Sequence, residues 1–307
     1  MKIKGSIDIG SNSILLLIGE FDNDNFKELA NESTVTALGK DLDKTGMFHD
    51  ESMEVSMETL IKYAEISKLV GLDPKEIIAT ATEAARVAGN STEFFNEVKK
   101  NTEIDVKIIS PEAEAHFSTT GICFDTSFKE NPIHIMDIGG ASTEIIKFDH
   151  EKNEILHDFS IPFGAVRITN WDEDEVLEDK LAHVLTDYAE NLAKVHCTKL
   201  FCVAGTMTSV ANMYLGHREF QEKEIHGLEI STKDIFSLVE KYKDYSIEQY
   251  LEEFPFLGKR SNSIKGGLRV ATEIFKILGV ETVEISTYGL RYGTIQIEEI
   301  DNGHLVR

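Results

Sequence analysis

The apolar and polar positions of the chain follow the same order twice. Near the start, two apolar runs flank a short turn rich in glycine, serine and asparagine, which is the pattern of a β-hairpin. The pattern returns near the middle of the chain. In both places a second turn, at 22–25 or 149–153, leads to a third strand, and the predicted strands lie at residues 4–9, 14–21 and 26–36, then at 133–138, 143–148 and 155–161.

Helices and single strands alternate after each set of three strands. Apolar residues spaced by three and four predict helices, and glycine after the last of them marks a helix end. The predicted helices lie at 50–70, 82–88, 112–120, 173–196, 264–278 and after Thr206, and the predicted strands at 77–80, 105–109, 199–204 and 282–286.

This order predicts an α/β protein of two lobes, each with a ribonuclease-H-like βββαβαβα plan. The first lobe is expected over residues 1–126 and the second over 127–307, with the active site in a cleft between them. The last ten or so residues are the ones that could pack back on the first lobe.

Composition narrows the function. The 307 residues include 31 Lys and Arg against 54 Asp and Glu, and this net charge of −23 excludes a nucleic-acid binder, which needs a basic footprint. The apolar runs are too short to span a bilayer, and no signal peptide is visible, so no membrane partner is expected. Three cysteines without paired spacing predict reduced thiols in a cytoplasmic protein, and a metal site at Cys197 and Cys202 is disfavoured because the spacing matches no zinc pattern.

Both hairpin turns have sequence features that are typical of a phosphate-binding site. A bend of small residues lets backbone N–H groups point at an anion, and an aspartate at the end of the preceding strand can hold Mg²⁺ through waters. Either turn by itself is more readily an ordinary tight hairpin, but the repetition favours a pair of phosphate loops. The candidate residues are Asp8, Ser11, Asn12 and Ser13, and Asp137, Gly139, Gly140, Ala141 and Ser142.

Five further residues could take part in phosphoanhydride hydrolysis. That reaction needs a group that orients the attacking water and groups that neutralise the phosphoryl charge. Glu114 or Glu144 could orient the water, and the guanidinium group of Arg86 could bind phosphate oxygens through two N–H groups. Gly205 and Thr206 join a strand to a helix, where an anion is favoured. Each of these has an ordinary surface role as its alternative.

Six blocks in the same order resemble the exopolyphosphatase/guanosine pentaphosphate phosphatase (Ppx/GppA) family of the actin-like ATPase superfamily. The resemblance covers nearly the whole chain and is to the short form of the family. The blocks are residues 8–13, 81–90, 109–115, 137–144, 204–206 and 286–293.

The resemblance implies roles for the candidates. Glu114 aligns with the family's catalytic glutamate, and Glu144 with a second active-site glutamate near the metal. Asp137, with help from Asp8, is associated with Mg²⁺, and Arg86 with phosphate. The substrates implied are polyphosphate and pppGpp, which would link the protein to the stringent response, and a homodimer is an option.

The chain departs from the family pattern at four positions. Pro111 and Ala113 replace a glycine and a glutamate beside Glu114, Ala141 replaces a third glycine, and Leu15 stands where relatives often have a basic residue. The leading hypothesis is Mg²⁺-dependent release of terminal phosphate from polyphosphate or pppGpp. Two rivals stay open, namely an actin-like ATPase or kinase and a sensor that binds (p)ppGpp or polyphosphate without cleaving it.

Overall fold

The computed structural model describes residues 2–22, 25–124, 130–152 and 154–306. Its contacts divide the chain into two compact units, Met1–Asp125 together with Gly289–Arg307, and Thr126–Tyr288. The predicted lobe borders at 126 and 127, and the predicted cleft, remain predictions. The predicted turns at 22–25 and 149–153 include residues outside the described ranges.

The first unit contains five strands and six α-helices in its described residues. The strands are β1 (Lys2–Ile9), β2 (Ser13–Asp22), β3 (Asn25–Val35), β4 (Ile77–Ala81) and β5 (Val106–Ile108). The helices are α1 (Leu42–Thr45), α2 (Asp50–Leu69), α3 (Glu83–Val87), α4 (Ser91–Thr102), α5 (Pro111–Ile122) and, after the second unit, α14 (Leu290–Thr294), with 3₁₀ turns at Pro74–Glu76 and Asn302–His304.

The second unit contains six strands and eight α-helices in its described residues. The strands are β6 (Ile133–Ile138), β7 (Thr143–Asp149), β8 (Glu154–Ile161), β9 (Lys199–Val203), β10 (Glu229–Ser231) and β11 (Thr282–Ile285). The helices are α6 (Ala165–Glu173), α7 (Leu177–Asp187), α8 (Ala189–Leu192), α9 (Ala204–Tyr214), α10 (Glu222–Ile225), α11 (Thr232–Tyr242), α12 (Ile247–Glu253) and α13 (Ile264–Leu278), with a 3₁₀ segment at Pro255–Asn262.

The two sheets share one topology. The first has the order β3-β2-β1-β4-β5 and the second β10-β11-β9-β6-β7-β8. In each, three antiparallel strands are followed by a strand parallel to the first of them, because a helical crossover returns the chain to the same edge. The predicted α/β class and the duplicated ribonuclease-H-like plan are confirmed.

Each unit has its own apolar core, which fixes the sheet that carries the site. In the first unit Ile7, Leu16 and Ala79 pack with α2 and α4, and in the second Met136 and Ile145 pack with α9 and α13. Alternate residues of β1 and β6 therefore enter the core, and the carboxyl ends of these strands emerge at one edge of each sheet.

One predicted element is wrong. The single helix expected over 173–196 is two helices, α7 and α8, preceded by α6, which ends at Glu173. The break between α6 and α7 contains Glu175 with φ of 58°. A left-handed residue cannot continue an α-helix, so the apolar spacing runs through a turn. Val176, which the spacing places on the buried face, is 37% exposed. Within the described ranges, no helix is long and apolar enough to cross a membrane.

Candidate functional site

The predicted site residues gather at the carboxyl edge of each sheet. In the first unit, β1 and β4 are parallel neighbours, so the turn after Ile9 lies beside Thr82 and the start of α3, and the N–H of Thr82 donates to the Ile9 carbonyl at 3.3 Å. In the second unit, Asp137 pairs with Val203 on parallel strands. The residues brought to these edges are Asp8, Ser11, Asn12, Ser13, Arg86 and Glu114 in the first unit, and Asp137, Gly139, Gly140, Ala141, Ser142, Gly205 and Thr206 in the second.

The two hairpin turns have the same geometry. The N–H of Gly10 donates to the Ser13 carbonyl at 3.0 Å, and the N–H of Gly139 donates to the Ser142 carbonyl at 3.0 Å. Asp8 pairs with Leu15 across the first hairpin, and Asp137 pairs with Glu144 across the second. The sequence repeat is therefore also a repeat of backbone structure.

The carbonyl groups of both turns are held by the chain segment behind them. The Asn12 carbonyl accepts the N–H groups of Thr36 and Ala37, both at 3.0 Å. The Gly140 carbonyl likewise accepts those of Val166 at 2.8 Å and Arg167 at 3.1 Å. By contrast, within the described residues no protein acceptor is found for the N–H groups of Ser11, Asn12, Gly140 and Ala141. Such groups, on largely buried turns, are open to hydrogen bonds from water or from an anionic ligand.

A glycine packs against the back of each turn and brings the two backbones into close approach. A Cβ on Gly39 would lie 2.9 Å from the Ser11 Cβ, and a Cβ on Gly164 would lie 2.6 Å from the Gly139 carbonyl oxygen. The buried guanidinium of Arg167 adds a further support, since its Nη1 donates to the Ala141 carbonyl at 2.7 Å. Both turns are therefore fixed before any ligand arrives.

Asp8 is a half-buried residue of the first hairpin. Its Oδ1 is enclosed and makes no hydrogen bond to any described residue. Burial raises the pKa of Asp8 to about 6, although the positive charge of Arg291 acts in the opposite direction. Arg291 is held in place by a bond from its Nη1 to the Leu16 carbonyl at 3.2 Å. An enclosed carboxylate oxygen without a hydrogen-bond partner suits a cation or a water bound to one.

Arg86 and Glu114 form a buried ion pair. Arg86 Nη1 donates to Glu114 Oε2 at 2.8 Å and to the Ile109 carbonyl at 2.9 Å, and its other edge bonds Glu83. The two side chains of the pair are 9% and 11% exposed. Burial opposes the charge of Arg86, but Glu114 and then Glu83 outweigh it, so the pKa of Arg86 lies above its ordinary value. Arg86 is predicted to contact phosphate, but in this structure it is paired with Glu114, the predicted general base.

Glu114 is placed by the start of α5. Ser110 caps this helix by accepting the N–H of Ala113 at 3.2 Å, and Pro111 occupies the first turn, where its missing N–H costs nothing. The Glu114 N–H closes that turn on the Ser110 carbonyl at 2.9 Å. Pro111 departs from the family pattern but is compatible with a well-formed helix start.

A row of polar side chains crosses the second sheet. Asp137, Glu144 and Ser160 are successive partners on β6, β7 and β8, so they share one face. The Ser160 hydroxyl donates to Glu144 Oε1 at 2.7 Å. Directly paired residues have Cβ atoms about 5 Å apart, which places the carboxylates of Asp137 and Glu144 within reach of one cation.

The strand-to-helix junction at Ala204 carries backbone strain. Ala204 has φ of 66°, in the region that favours glycine, and Gly205 follows at the start of α9. The guanidinium of Arg260 covers Gly205, since a Cβ there would lie 2.5 Å from its Nη2, and Nη1 donates to Ser209 Oγ at 3.0 Å. Burial lowers the pKa of Arg260 to about 10.

The donor set fits Mg²⁺ bound through few protein ligands. Within the described residues, no group of three or more His, Cys, Asp or Glu side chains could hold a metal. Mg²⁺ commonly takes one or two carboxylates and completes its shell with waters and substrate phosphates. Asp137 with Glu144, and the unpaired oxygen of Asp8, meet that description, whereas a site closed by protein ligands is not present in the described part of the chain.

Sequence reasoning missed four residues of these edges. Arg167, Arg260, Arg291 and Ser160 act on the candidates only after distant segments come together, so spacing could not reveal them. The one available signal is that Arg291 lies in a block, residues 286–293, that the sequence singles out.

The chain belongs to the Ppx/GppA phosphatase family, whose model matches residues 17–299. The predicted resemblance is thereby confirmed. A bifunctional 3-dehydroquinate synthase/phosphatase of Fusobacterium nucleatum is 29% identical over 98% of this chain, and the chain spans 47% of that protein. Exopolyphosphatase 1 of Mycobacterium leprae is 24% identical, with 95% of this chain and 88% of that protein covered. The crystal structure of an exopolyphosphatase from Cytophaga hutchinsonii matches with a TM-score of 0.86 and 25% identity, covering 96% of this chain and 97% of that one.

Proposed function

We propose that the protein is a Mg²⁺-dependent phosphoanhydride hydrolase that releases the terminal phosphate of inorganic polyphosphate or pppGpp. The observation that carries the proposal is the pair of matched hairpins, which keep N–H groups at Ser11, Asn12, Gly140 and Ala141 without a protein acceptor while the carbonyls are held from behind. Membership of a phosphatase family whose named members include exopolyphosphatases supports the same reading.

Each candidate residue has a distinct part in this reaction. The two turns bind phosphate oxygens through N–H groups, and Gly205 and Thr206 add the start of α9. Glu114 accepts a proton from the attacking water and orients it, and until substrate binds Arg86 holds the Glu114 carboxylate through the 2.8 Å bond. Asp137 with Glu144 in the second unit, and Asp8 in the first, would hold Mg²⁺, which would offset negative charge on the phosphate oxygens.

One observation favours a second candidate, a sensor that binds the same ligands without cleaving them. Glu114 bonds Arg86, and a carboxylate paired with a guanidinium is a weaker base than a free one. In the hydrolase, substrate phosphates compete for Arg86 and release Glu114 for water. In the sensor, the ion pair persists in the complex.

Phosphate release from short polyphosphate and from pppGpp, with Mg²⁺ and with EDTA, distinguishes the two candidates. We expect release by wild type to fall by about 100-fold or more in Glu114→Gln and Glu144→Gln. Glu93→Gln is the matched control, because Glu93 also lies in the first turn of a helix but is exposed. Micromolar binding without release by wild type would favour the sensor, and full activity in Glu114→Gln would refute the role of that residue.

The partners follow from the same proposal. A net charge of −23 repels anions, so a phosphate ligand has to be held by N–H groups, basic side chains and a metal ion at a local site, and the same charge disfavours nucleic acid or an anionic membrane surface. A homodimer and a cytoplasmic location are part of the proposal, and light scattering of the purified protein tests the first of them.

A further inference from the structure

A short segment near residue 304 lies on the edge of the first sheet. This segment, Asn302–Val306, is called the clasp segment below. Its Leu305 forms an antiparallel bridge with Ile109, and the Val306 N–H donates to the Ile108 carbonyl at 3.1 Å. Since β5 is the last strand in the order of its sheet, the clasp segment continues the sheet beyond it.

The clasp segment and Arg86 hold the two ends of one peptide group. The Ser110 N–H donates to the His304 carbonyl at 2.8 Å, and the Ile109 carbonyl accepts Arg86 Nη1 at 2.9 Å. These two groups belong to the peptide that joins Ile109 to Ser110. Because the Ser110 carbonyl then accepts the Glu114 N–H, this peptide sets where the first turn of α5 begins and where Glu114 lies.

Side chains of the clasp segment reinforce the main-chain bonds. The His304 ring stacks on His116 of α5, with centroids 5.7 Å apart and planes 25° apart, and meets the edge of Phe117 at 5.2 Å. Leu305 packs on a small apolar cluster that includes Ile109 and Phe117. The segment therefore contacts both the strand before Glu114 and the helix that carries it.

We propose that the clasp segment is a positioning element for Glu114, an inference that rests on the proposed hydrolase function. Holding the Ile109–Ser110 peptide from the side opposite Arg86 keeps the Glu114 carboxylate aligned for the attacking water. Loss of the clasp lowers kcat and leaves KM nearly unchanged, because the phosphate turns follow β1 and β6, whereas the clasp contacts β5 and α5. A shift of about 1 Å in such a group can cost on the order of 100-fold in rate.

The test removes one main-chain donor at a position whose side chain is exposed. Val306→Pro deletes the N–H that bonds Ile108, and Leu305 already has φ of −90° and ψ of 148°, which a following proline accepts. Val306→Ala is the control, since it keeps the N–H and the Val306 side chain is 46% exposed. We expect Val306→Pro to lower kcat by about 10-fold or more with KM within about twofold, and Val306→Ala to match wild type.

A second pair of variants tests the ring contacts. His304→Ala removes the stack on His116 and should also lower kcat, whereas His304→Phe keeps an aromatic ring and should restore it. Hydrogen exchange of the amides from 108 to 116 supplies a readout that does not depend on turnover, and we expect faster exchange at Ser110 and Glu114 in Val306→Pro.

Wild-type kcat in folded Val306→Pro, or a raised KM at unchanged kcat, overturns the proposal while the hydrolase function stands. If wild type releases no phosphate, the hydrolase function itself has failed. Hydrogen exchange then decides the structural part, and exchange at 108–116 that is the same in Val306→Pro and wild type overturns the positioning role as well.

Discussion

The replacement Asp8→Asn should stabilise the protein at neutral pH while impairing its function. Burial raises the pKa of Asp8 from 3.8 to about 6, so the ionised carboxylate is disfavoured in the folded state. At about 1.36 kcal/mol per pKa unit, ionisation of Asp8 costs the fold about 3 kcal/mol above pH 6. Asparagine keeps the shape of the side chain and carries no charge, and it should recover most of this amount.

The sign of the pH dependence follows from the raised pKa. The stability that protonated Asp8 contributes is fully present below pH 3.8 and is lost as pH rises through about 6. Asp8→Asn should therefore raise the melting temperature of the first unit by about 6–12 °C at pH 7.5, and by little at pH 4. Differential scanning calorimetry at both pH values measures the difference.

A control of opposite sign is available in the second unit. Asp149 accepts bonds from Lys152 Nζ at 2.8 Å and Asn131 Nδ2 at 2.9 Å, which hold the pKa of its carboxyl well below the usual range. Asp149→Asn should lower the melting temperature at pH 7.5. Mg²⁺ should raise the melting temperature of wild type and do less for Asp8→Asn. An Asp8→Asn protein that is no more stable at pH 7.5, or equally stabilised at pH 4, would refute the desolvation reasoning.

Three further changes test the ion pair of the first unit, a histidine of the second sheet and the support of the second turn. Arg86→Met leaves Glu114 buried without its cation and should cost about 3–5 kcal/mol in urea unfolding, as expected when one partner of a buried pair is removed. Burial and then Lys147 lower the pKa of His134 to about 4, so the folded protein loses stability as the pH falls from 6.5 to 4. His134→Gln should remove this loss, which amounts to about 1–2 kcal/mol after allowance for the partial exposure of His134. Gly164→Ala drives a methyl group against the Gly139 carbonyl and should lower kcat/KM by about 10- to 100-fold.

Each of these expectations has a contrary result. A cost below about 1 kcal/mol for Arg86→Met would mean that the pair is solvated in solution. If the free energy of unfolding of His134→Gln falls between pH 6.5 and 4 as it does in wild type, other groups cause the acid sensitivity. Wild-type kinetics in Gly164→Ala would mean that the second turn yields without losing its shape, since the backbone of Gly164, with φ of −137°, suits alanine.

Turn-forming residues and the spacing of apolar residues made much of the fold predictable from the sequence. The hairpin turns follow from small polar residues between apolar runs, and the predicted strand over 133–138 coincides with β6. The predicted helix over 264–278 coincides with α13, which ends at Gly279 with φ of 70°. The helix over 173–196 could not be predicted correctly, because apolar spacing does not reveal a left-handed residue such as Glu175.

The sequence could predict which residues belong to the site better than it could predict which of them contact each other. Aspartates and glycines of the two turns stand out because they repeat, whereas the ion pair of Arg86 with Glu114 joins side chains from α3 and α5 that meet only in the folded unit. The charge facing Asp8 comes from Arg291, almost at the other end of the chain. Such pairings depend on tertiary structure, which periodicity and spacing do not encode.

The held carbonyls of the two turns also fix the polarity of what these turns can bind. A peptide flip would replace an inward N–H by a carbonyl and would convert an anion nest into a cation ligand. The peptide that carries the Asn12 N–H has the Ser11 carbonyl, which accepts the Gly39 N–H. The peptide that carries the Ala141 N–H has the Gly140 carbonyl, which accepts two N–H groups. A flip would therefore break one hydrogen bond in the first turn and two in the second. Under the proposed function, turns held in this way favour an anion, and a cation would bind at the neighbouring carboxylates.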